Sequence, residues 1–206
     1  MTASPLRPLA ALCFSAGLAA SATAAGVKVS VTDAAGKPAP DAVVLLEPAA
    51  GKPAVRPMEP VDVSQAKRTF NPRVSVITVG TPVNFPNFDT VRHHVYSFSP
   101  AKVFELKLYS GVPGKPIVFD KPGVVILGCN IHDTMAAWIL VAETPWHGLA
   151  GADGVATVAG VPAGSYRLRV WHPAMPVNTE APAVNVQVGA ADLALSSRLT
   201  VNASSP

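Results

Sequence analysis

The chain has 206 residues, of which 49% are hydrophobic and only 14% are charged, so it can bury a substantial core. Its formal net charge of +3 is small and scattered along the chain, which argues against a nucleic-acid-binding protein. The 21 prolines and 15 glycines interrupt the chain at short intervals, which excludes a fold of long helices and favours many short strands.

The N-terminal segment has the parts of a secretory signal peptide. Arg7 supplies the positive start, an apolar Ala-rich run covers 9–20, and Ala-Thr-Ala at 22–24 fits a cleavage signal. The apolar run is too short to span a bilayer as a lasting helix. We predict that residues 1–24 are a signal peptide, that the mature chain is periplasmic and that it has no stable membrane span. A buried N-terminal helix is the alternative.

Alternating or apolar runs separated by Gly and Pro predict strands along the mature chain. In chain order these runs are 27–31, 42–46, 74–79, 83–85, 95–98, 104–108, 117–119, 123–127, 136–141, 155–158, 166–170, 184–188 and 193–201. The Pro-, Gly- and Ala-rich stretch 48–60 predicts a linker. The pattern of apolar runs and turn residues changes again after Pro145. The pattern is typical of an all-β sandwich or barrel followed by a second, smaller β unit.

A single cysteine remains in the predicted mature chain. Of the two in the sequence, Cys13 lies in the signal segment, which leaves Cys129. Exported cysteines usually pair, so a lone one indicates an intermolecular disulfide, a reactive thiol or a metal ligand. Cys129 is followed by His132 and Met135, and a soft thiolate with an imidazole and a weak thioether suits copper. Zinc would more often show a second Cys/His pair, and iron–sulfur clusters need more thiolates.

A trigonal copper site needs a further imidazole, which the segment 85–95 supplies as His93 or His94. Both cannot face one metal from an extended segment, because neighbouring side chains point to opposite sides of a strand. Taken singly, each of these residues is also explained as an ordinary core or surface side chain. We expect His147 and His172 to be ordinary, partly exposed histidines.

The run from Val79 to Asp89, followed by His-x-Val at 93–95, resembles the cupredoxin (blue copper) family, which includes plastocyanin, pseudoazurin and amicyanin. Segment 119–135 resembles the second half of that pattern, and its Cys-x-x-His-x-x-Met spacing is similar to amicyanin. The resemblance implies a Greek-key cupredoxin β-sandwich or barrel over 58–143. It also implies one type 1 copper ion, held by His93, Cys129, His132 and Met135. His94 stands where many cupredoxins have an Asn that ties the ligand loops together.

Two further resemblances concern the flanks and the ligand loop. Segments 31–44, 152–156 and 161–168 resemble carboxypeptidase-regulatory-like β-sandwiches. They imply that 26–48 and 144–206 form one small discontinuous sandwich around an inserted copper domain, which is plausible because domain termini often lie close together. The ligand-loop sequence Cys-Asn-Ile-His-Asp also resembles bacterial exported cupredoxins called methylamine utilization proteins.

The family resemblance implies a periplasmic one-electron carrier rather than an enzyme. Its transient partners would be an exported dehydrogenase, a c-type cytochrome or an oxidase, with electrons passing along His132. Two alternatives remain: a protein that stores or delivers copper, and a structural β-sandwich with a vestigial site. A nitrite reductase or oxidase is disfavoured, because the sequence lacks the extra histidines of a second, open copper site.

Overall fold

The computed structural model describes residues 24–177 and 179–203. The described residues form strands and loops without a helix, which confirms the all-β fold class. No helix of sufficient length and hydropathy to cross a membrane occurs among them. The predicted signal peptide lies outside this part of the chain except for Ala24, which pairs with Pro162 in the first strand.

The described strands follow one another as short segments along the whole chain. They are β1 (Ala24–Thr32), β2 (Val43–Pro48), β3 (Val61–Asp62), β4 (Ser64–Ala66), β5 (Thr69–Asn71), β6 (Val74–Thr78), β7 (Thr81–Asn84), β8 (His93–Ser99), β9 (Lys102–Tyr109), β10 (Ile117–Phe119), β11 (Gly123–Gly128), β12 (Ala136–Ala142), β13 (His147–Leu149), β14 (Val155–Pro162), β15 (Gly164–Trp171), β16 (Ala183–Val188) and β17 (Leu193–Arg198).

The two ends of the described chain pair with each other in two sheets. One sheet has the order β14-β1-β17 and the other the order β13-β2-β15-β16. Their inward-facing aliphatic residues, among them Val29, Leu46 and Leu168, form one buried cluster. We call this unit, residues 24–48 and 147–198, the flank sandwich.

The middle of the chain forms a second pair of sheets. A five-stranded sheet, β6-β12-β11-β8-β9, packs across a core from a three-stranded sheet, β10-β7-β3, and the hairpin β4-β5 lies beside them. The core between them contains Ile77, Phe85 and Phe119, and also Cys129 and Met135. We call this unit, residues 61–142, the central sandwich.

Strand β2 is buried on both faces, which explains why its sequence is continuously apolar rather than alternating. Val44 and Leu46 face the core of the flank sandwich. Val43 and Leu45 belong to a third buried cluster, which includes Leu140 of β12 in the central sandwich. This cluster joins the two units.

The structure departs from the sequence-based strands in two places. The short strands β3, β4, β5 and β13 were not predicted, because runs of two or three residues show no clear periodicity. On β9, a bulge opposite His93 and Val95 adds one residue, so Lys107 and Leu108 are both exposed. The bulge turns the next residue, Tyr109, towards the core.

Candidate metal centre

The ends of three adjacent strands bring the predicted ligands together at one end of the five-stranded sheet. His93 is the first residue of β8, and Cys129 directly follows β11, the antiparallel neighbour of β8. The start of one strand therefore lies beside the end of the other. Met135 directly precedes β12, and His132 lies in the loop that joins β11 to β12.

The ligand atoms of His93, Cys129 and His132 lie within 4.8 Å of one another. The Cys129 sulfur is 3.9 Å from Nδ1 of His93, and the rings of His93 and His132 are 5.1 Å apart at 62°. His93 and Cys129 are buried, whereas His132 is half-buried. Met135 is buried in the same core as Cys129, and its amide donates to the carbonyl of His132. The structure thus brings three of the four predicted ligands together. The fourth, the thioether residue Met135, lies in the adjoining core.

The ring of His93 is oriented by a carboxylate that the sequence did not indicate as part of the site. Nε2 of His93 lies 2.8 Å from Oδ2 of Asp89. An ionised carboxylate only accepts hydrogen bonds, so a neutral His93 must carry its proton on Nε2. The lone pair of Nδ1 then points to the Cys129 side of the ring. A carboxylate holding the far nitrogen of a metal-binding histidine is a common arrangement, and it fixes the ring orientation and raises the basicity of the ligand.

Asp89 is kept ionised by its own hydrogen bonds. The amides of Lys67 and Arg68 donate to Oδ1 and Oδ2 over 2.6 and 2.9 Å. The Arg68 amide lowers the pKa of Asp89 most, burial opposes it, and the bonds from His93 and Lys67 lower it further. The motif Asn87-x-Asp89 contained this residue, but nothing in the sequence indicated that hairpin β4–β5 would contact it.

A buried polar network fixes the loop that precedes His93. Tyr109 donates to the carbonyl of Phe85 over 2.6 Å and accepts from the side-chain amide of the fully buried Gln65. Burial, more than any other cause, raises the pKa of Tyr109 to about 12, so it stays a neutral donor. Asn87 joins the same loop to β9 by donating to the carbonyl of Tyr109. Of the side chains in this network, only that of Asn87 belonged to a recognisable motif.

His94 faces away from the ligand cluster. Its Nε2 lies 2.9 Å from Oε1 of Glu105 on β9, and its ring packs against Tyr96 at 5.5 Å. The contact with Glu105 is an ion-pair distance without hydrogen-bond alignment. His94 therefore lies on the outer face of the sheet beside Glu105, and neither of its ring nitrogens has a hydrogen-bond partner among the described residues. It does not reach the Cys129 loop, unlike the Asn that the resemblance placed at this position.

The expectation for His172 is wrong, because this residue is buried. Its Nε2 lies 3.0 Å from the carbonyl of Pro40, and its Nδ1 accepts from the amide of Ala174 over 3.0 Å. Burial lowers the pKa of His172, so the ring is neutral. His147 is half-buried, and burial lowers its pKa too. Both serve the packing of the flank sandwich.

The residues at the centre fit a copper ion. Nδ1 of His132 is buried and has no hydrogen-bond partner among the described residues, although buried ring nitrogens are usually satisfied. The Cys129 thiol is buried and unpaired. Nδ1 of His93 faces that sulfur because Nε2 is occupied by Asp89. Two free imidazole nitrogens around one thiolate are the donor set that copper takes in trigonal sites.

Exposed apolar side chains accompany the loops at this end of the molecule. Phe88, Val112 and Ile131 are 69%, 67% and 49% exposed. Phe88 and Val112 follow Asn87 and Gly111, which pair with each other, and Ile131 precedes His132. Similarly exposed apolar side chains occur elsewhere on the surface, for example Phe98 at 78%, so this exposure alone does not mark an interaction site.

No protein-family profile and no curated protein sequence matches the chain. Among solved structures, a Cu-containing nitrite reductase from Thermus scotoductus SA-01 is 31% identical over 47% of this chain and 25% of that chain, with a TM-score of 0.39. A variant of amicyanin, in its reduced Cu(I) form at pH 4, is 16% identical over 48% of this chain and 98% of its own, with a TM-score of 0.37. A purple cupredoxin from Nitrosopumilus maritimus is 22% identical over 41% of this chain and 100% of its own, with a TM-score of 0.35.

Proposed function

We propose that this protein carries single electrons on one type 1 copper ion held by His93, Cys129, His132 and Met135. The observation that carries the proposal is the convergence of two imidazoles and a thiolate, with donor atoms within 4.8 Å of one another. The buried thioether residue beside them supplies the weak, soft ligand that such sites use. When bound, the copper ion would supply one-electron exchange between Cu(I) and Cu(II).

The protein's own residues suit a carrier better than an enzyme. Asp89 fixes the ring of His93, and the Gln65–Tyr109 network holds the loop that precedes His93. These contacts would keep the ligand positions nearly constant between the two redox states. Cys129 and Met135 lie in the hydrophobic core, which excludes water from the thiolate side. His132 alone is half-exposed and so offers an edge to a partner.

The proposal extends to compartment and partners. A lone unpaired thiol in an exported protein is consistent with a permanent metal ligand. We therefore place the carrier in the periplasm, behind a signal peptide of residues 1–24. There it would exchange electrons with an exported dehydrogenase, a c-type cytochrome or an oxidase, and methylamine metabolism is one pathway it would suit. Its contacts would be small and transient, as redox encounters usually are.

The visible spectrum of the mature chain with Cu(II) tests this function. We expect a thiolate-to-copper charge-transfer band near the red end, because Cys129 is the only described thiol and lies 3.9 Å from His93 Nδ1. Cys129→Ala should lose the band completely. A colourless copper adduct of the unmutated chain would refute the assignment. A coloured protein that loses its copper within minutes to a chelator would indicate copper delivery instead of electron transfer.

The choice between the two upstream histidines has its own test. His93→Gly should bleach or shift the band, and added imidazole should partly restore it by entering the vacated position. The matched variant His94→Asn should keep the colour and change the reduction free energy by about 1 kcal/mol, as one altered hydrogen bond can. A colourless His94→Asn beside a blue His93→Gly would reverse the assignment.

A further inference from the structure

The tip of hairpin β4–β5 presents two basic side chains beside the His93 site. Lys67 and Arg68 form the two-residue connection between the strands, and both are exposed. Their amides bind the two carboxylate oxygens of Asp89, and one of these oxygens also contacts His93 Nε2 at 2.8 Å. The Asp89 carboxylate therefore links the tip directly to the predicted metal ligand His93.

The backbone of this tip is unusual for the residues it contains. Lys67 and Arg68 have φ angles of 54° and 58°, a left-handed conformation that side chains with a Cβ disfavour. Two-residue hairpin loops of this kind are usually Asn-Gly. Any residue except proline would supply the amides that hold Asp89. The basic side chains are therefore not needed for the contact with Asp89. Because backbone outliers cluster at functional sites, their presence in this strained turn points to a function of their own.

The basic side chains at this end are exposed and form no salt bridge with any described residue, although the Asp89 carboxylate lies against the backbone of the tip. Within the described residues no salt bridge involves the side chains of Lys67, Arg68 or Arg92. Asp89 already accepts from two amides and His93, so it is held by other donors. Arg92 is exposed and directly precedes His93. Asp133, the acidic residue of the ligand loop, instead lines the cleft towards the flank sandwich.

We propose that Lys67, Arg68 and Arg92 form a docking surface for a redox partner that presents carboxylates around its own electron-exchange site. This inference rests on the proposed electron-carrier function. Charges at the rim of a small, transient interface act mainly on the rate and orientation of encounter. Three such cations beside the His93 site would guide an acidic surface to this end of the molecule, where His132 is the predicted ligand with an exposed edge.

A redox-inert anion tests the surface without copper. Hexacyanochromate(III), a trivalent paramagnetic anion, should broaden the amide NMR signals of residues 66–69 and 91–93 in the metal-free mature chain. The double variant Lys67→Glu/Arg68→Glu should weaken this binding by about tenfold at 10 mM ionic strength, where charges act over about 30 Å. The matched control Lys28→Glu/Lys37→Glu removes the same charge from exposed positions of the flank sandwich and should leave the broadening unchanged.

The copper-loaded protein ties the surface to electron transfer. Ferricyanide takes one electron from the Cu(I) protein and becomes ferrocyanide. This oxidation should slow by about fivefold in the variant Lys67→Glu/Arg68→Glu at low salt. The rate should recover at 1 M salt, where the screening length is only about 3 Å. Oxidation by the cationic tris(phenanthroline)cobalt(III) should instead accelerate. If the blue band is present and the tip and control variants have equal effects, the docking surface is refuted. Loss of the band in the unmutated chain would overturn the proposed function, and the anion-binding result would remain readable.

Discussion

The two sandwiches of this protein bury different kinds of residue. The core of the flank sandwich is almost wholly aliphatic, with Val29, Leu46 and Leu168 on facing strands. The central sandwich also buries polar side chains completely, among them Gln65 and His93. Burying a polar group costs free energy unless it is hydrogen-bonded or bound to a metal.

This difference indicates that the molecule gives up some folding stability beside the predicted ligands. In the central sandwich the buried polar groups of Gln65, Asn87 and His93 are tied to loops beside the ligand cluster. In the flank sandwich the buried polar groups, such as His172, bond to nearby backbone and serve packing. The flank sandwich is thus predicted to act as a scaffold and the central sandwich as the reactive unit.

Removing the central sandwich tests whether the flank sandwich folds by itself, and we expect this change to have the largest effect. Thr144 Oγ1 lies 2.6 Å from the carbonyl of Leu46, so the two ends of the inserted segment are adjacent. We expect a chain in which a short Gly-Ser linker replaces 49–143, with Val43→Thr and Leu45→Thr on the newly exposed face, to unfold cooperatively and to bind no copper. Circular dichroism and urea titration measure this. A non-cooperative, unfolded product would contradict the discontinuous domain of 26–48 plus 144–206.

A matched pair of core truncations tests whether the two cores differ in their effect on the site. Leu46 and Leu127 are both fully buried, one in each core. Each Leu→Ala change should lower the free energy of unfolding by about 2–5 kcal/mol, through lost burial and a new cavity. Only Leu127→Ala, two residues before Cys129, should also shift the visible band. A band shift in Leu46→Ala would show that the flank sandwich also shapes the site.

The carboxylate behind His93 should matter more for metal than for stability. Asp89→Asn keeps the size of the side chain but weakens the acceptor that orients His93. We expect copper affinity to fall by about 10–100-fold, as for other such partners of metal-binding histidines. Competition with a calibrated chelator measures this, with Asp133→Asn as the exposed control on the ligand loop. Equal affinities of the two variants would remove Asp89 from the site.

Acid should act first on the flank sandwich. Burial lowers the pKa of His172 below its ordinary value of 6.5, so the folded state binds its proton more weakly than the unfolded state. The stability that this neutral ring contributes is fully present above pH 6.5 and is lost progressively as the pH falls from there through the lower pKa of the folded state. Urea titrations of the metal-free chain between pH 7.5 and 5 should show the decline. It should be smaller in His172→Gln, and an unchanged slope in that variant would contradict it.

The all-β fold class follows from the amino-acid sequence alone, and the same sequence predicts the residues of the candidate centre. Gly and Pro spacing with alternating runs predicted the long strands, because side-chain period is a local property of the chain. The set of Cys129, His132 and Met135 is compact in sequence, so its chemistry could be inferred from a single loop. His93 was named from a motif, and the choice between it and His94 needed a family resemblance.

The residues that surround the candidate centre become visible only in the folded protein. Gln65, Tyr109 and the Lys67–Arg68 turn are 20 or more residues from the groups they hold, and no local pattern links them. The bulge on β9 and the burial of His172 depend likewise on which strands pack together. Ligand identity follows from the chemistry of a few side chains. The hydrogen bonds that orient those side chains follow from long-range packing, which a single sequence does not display.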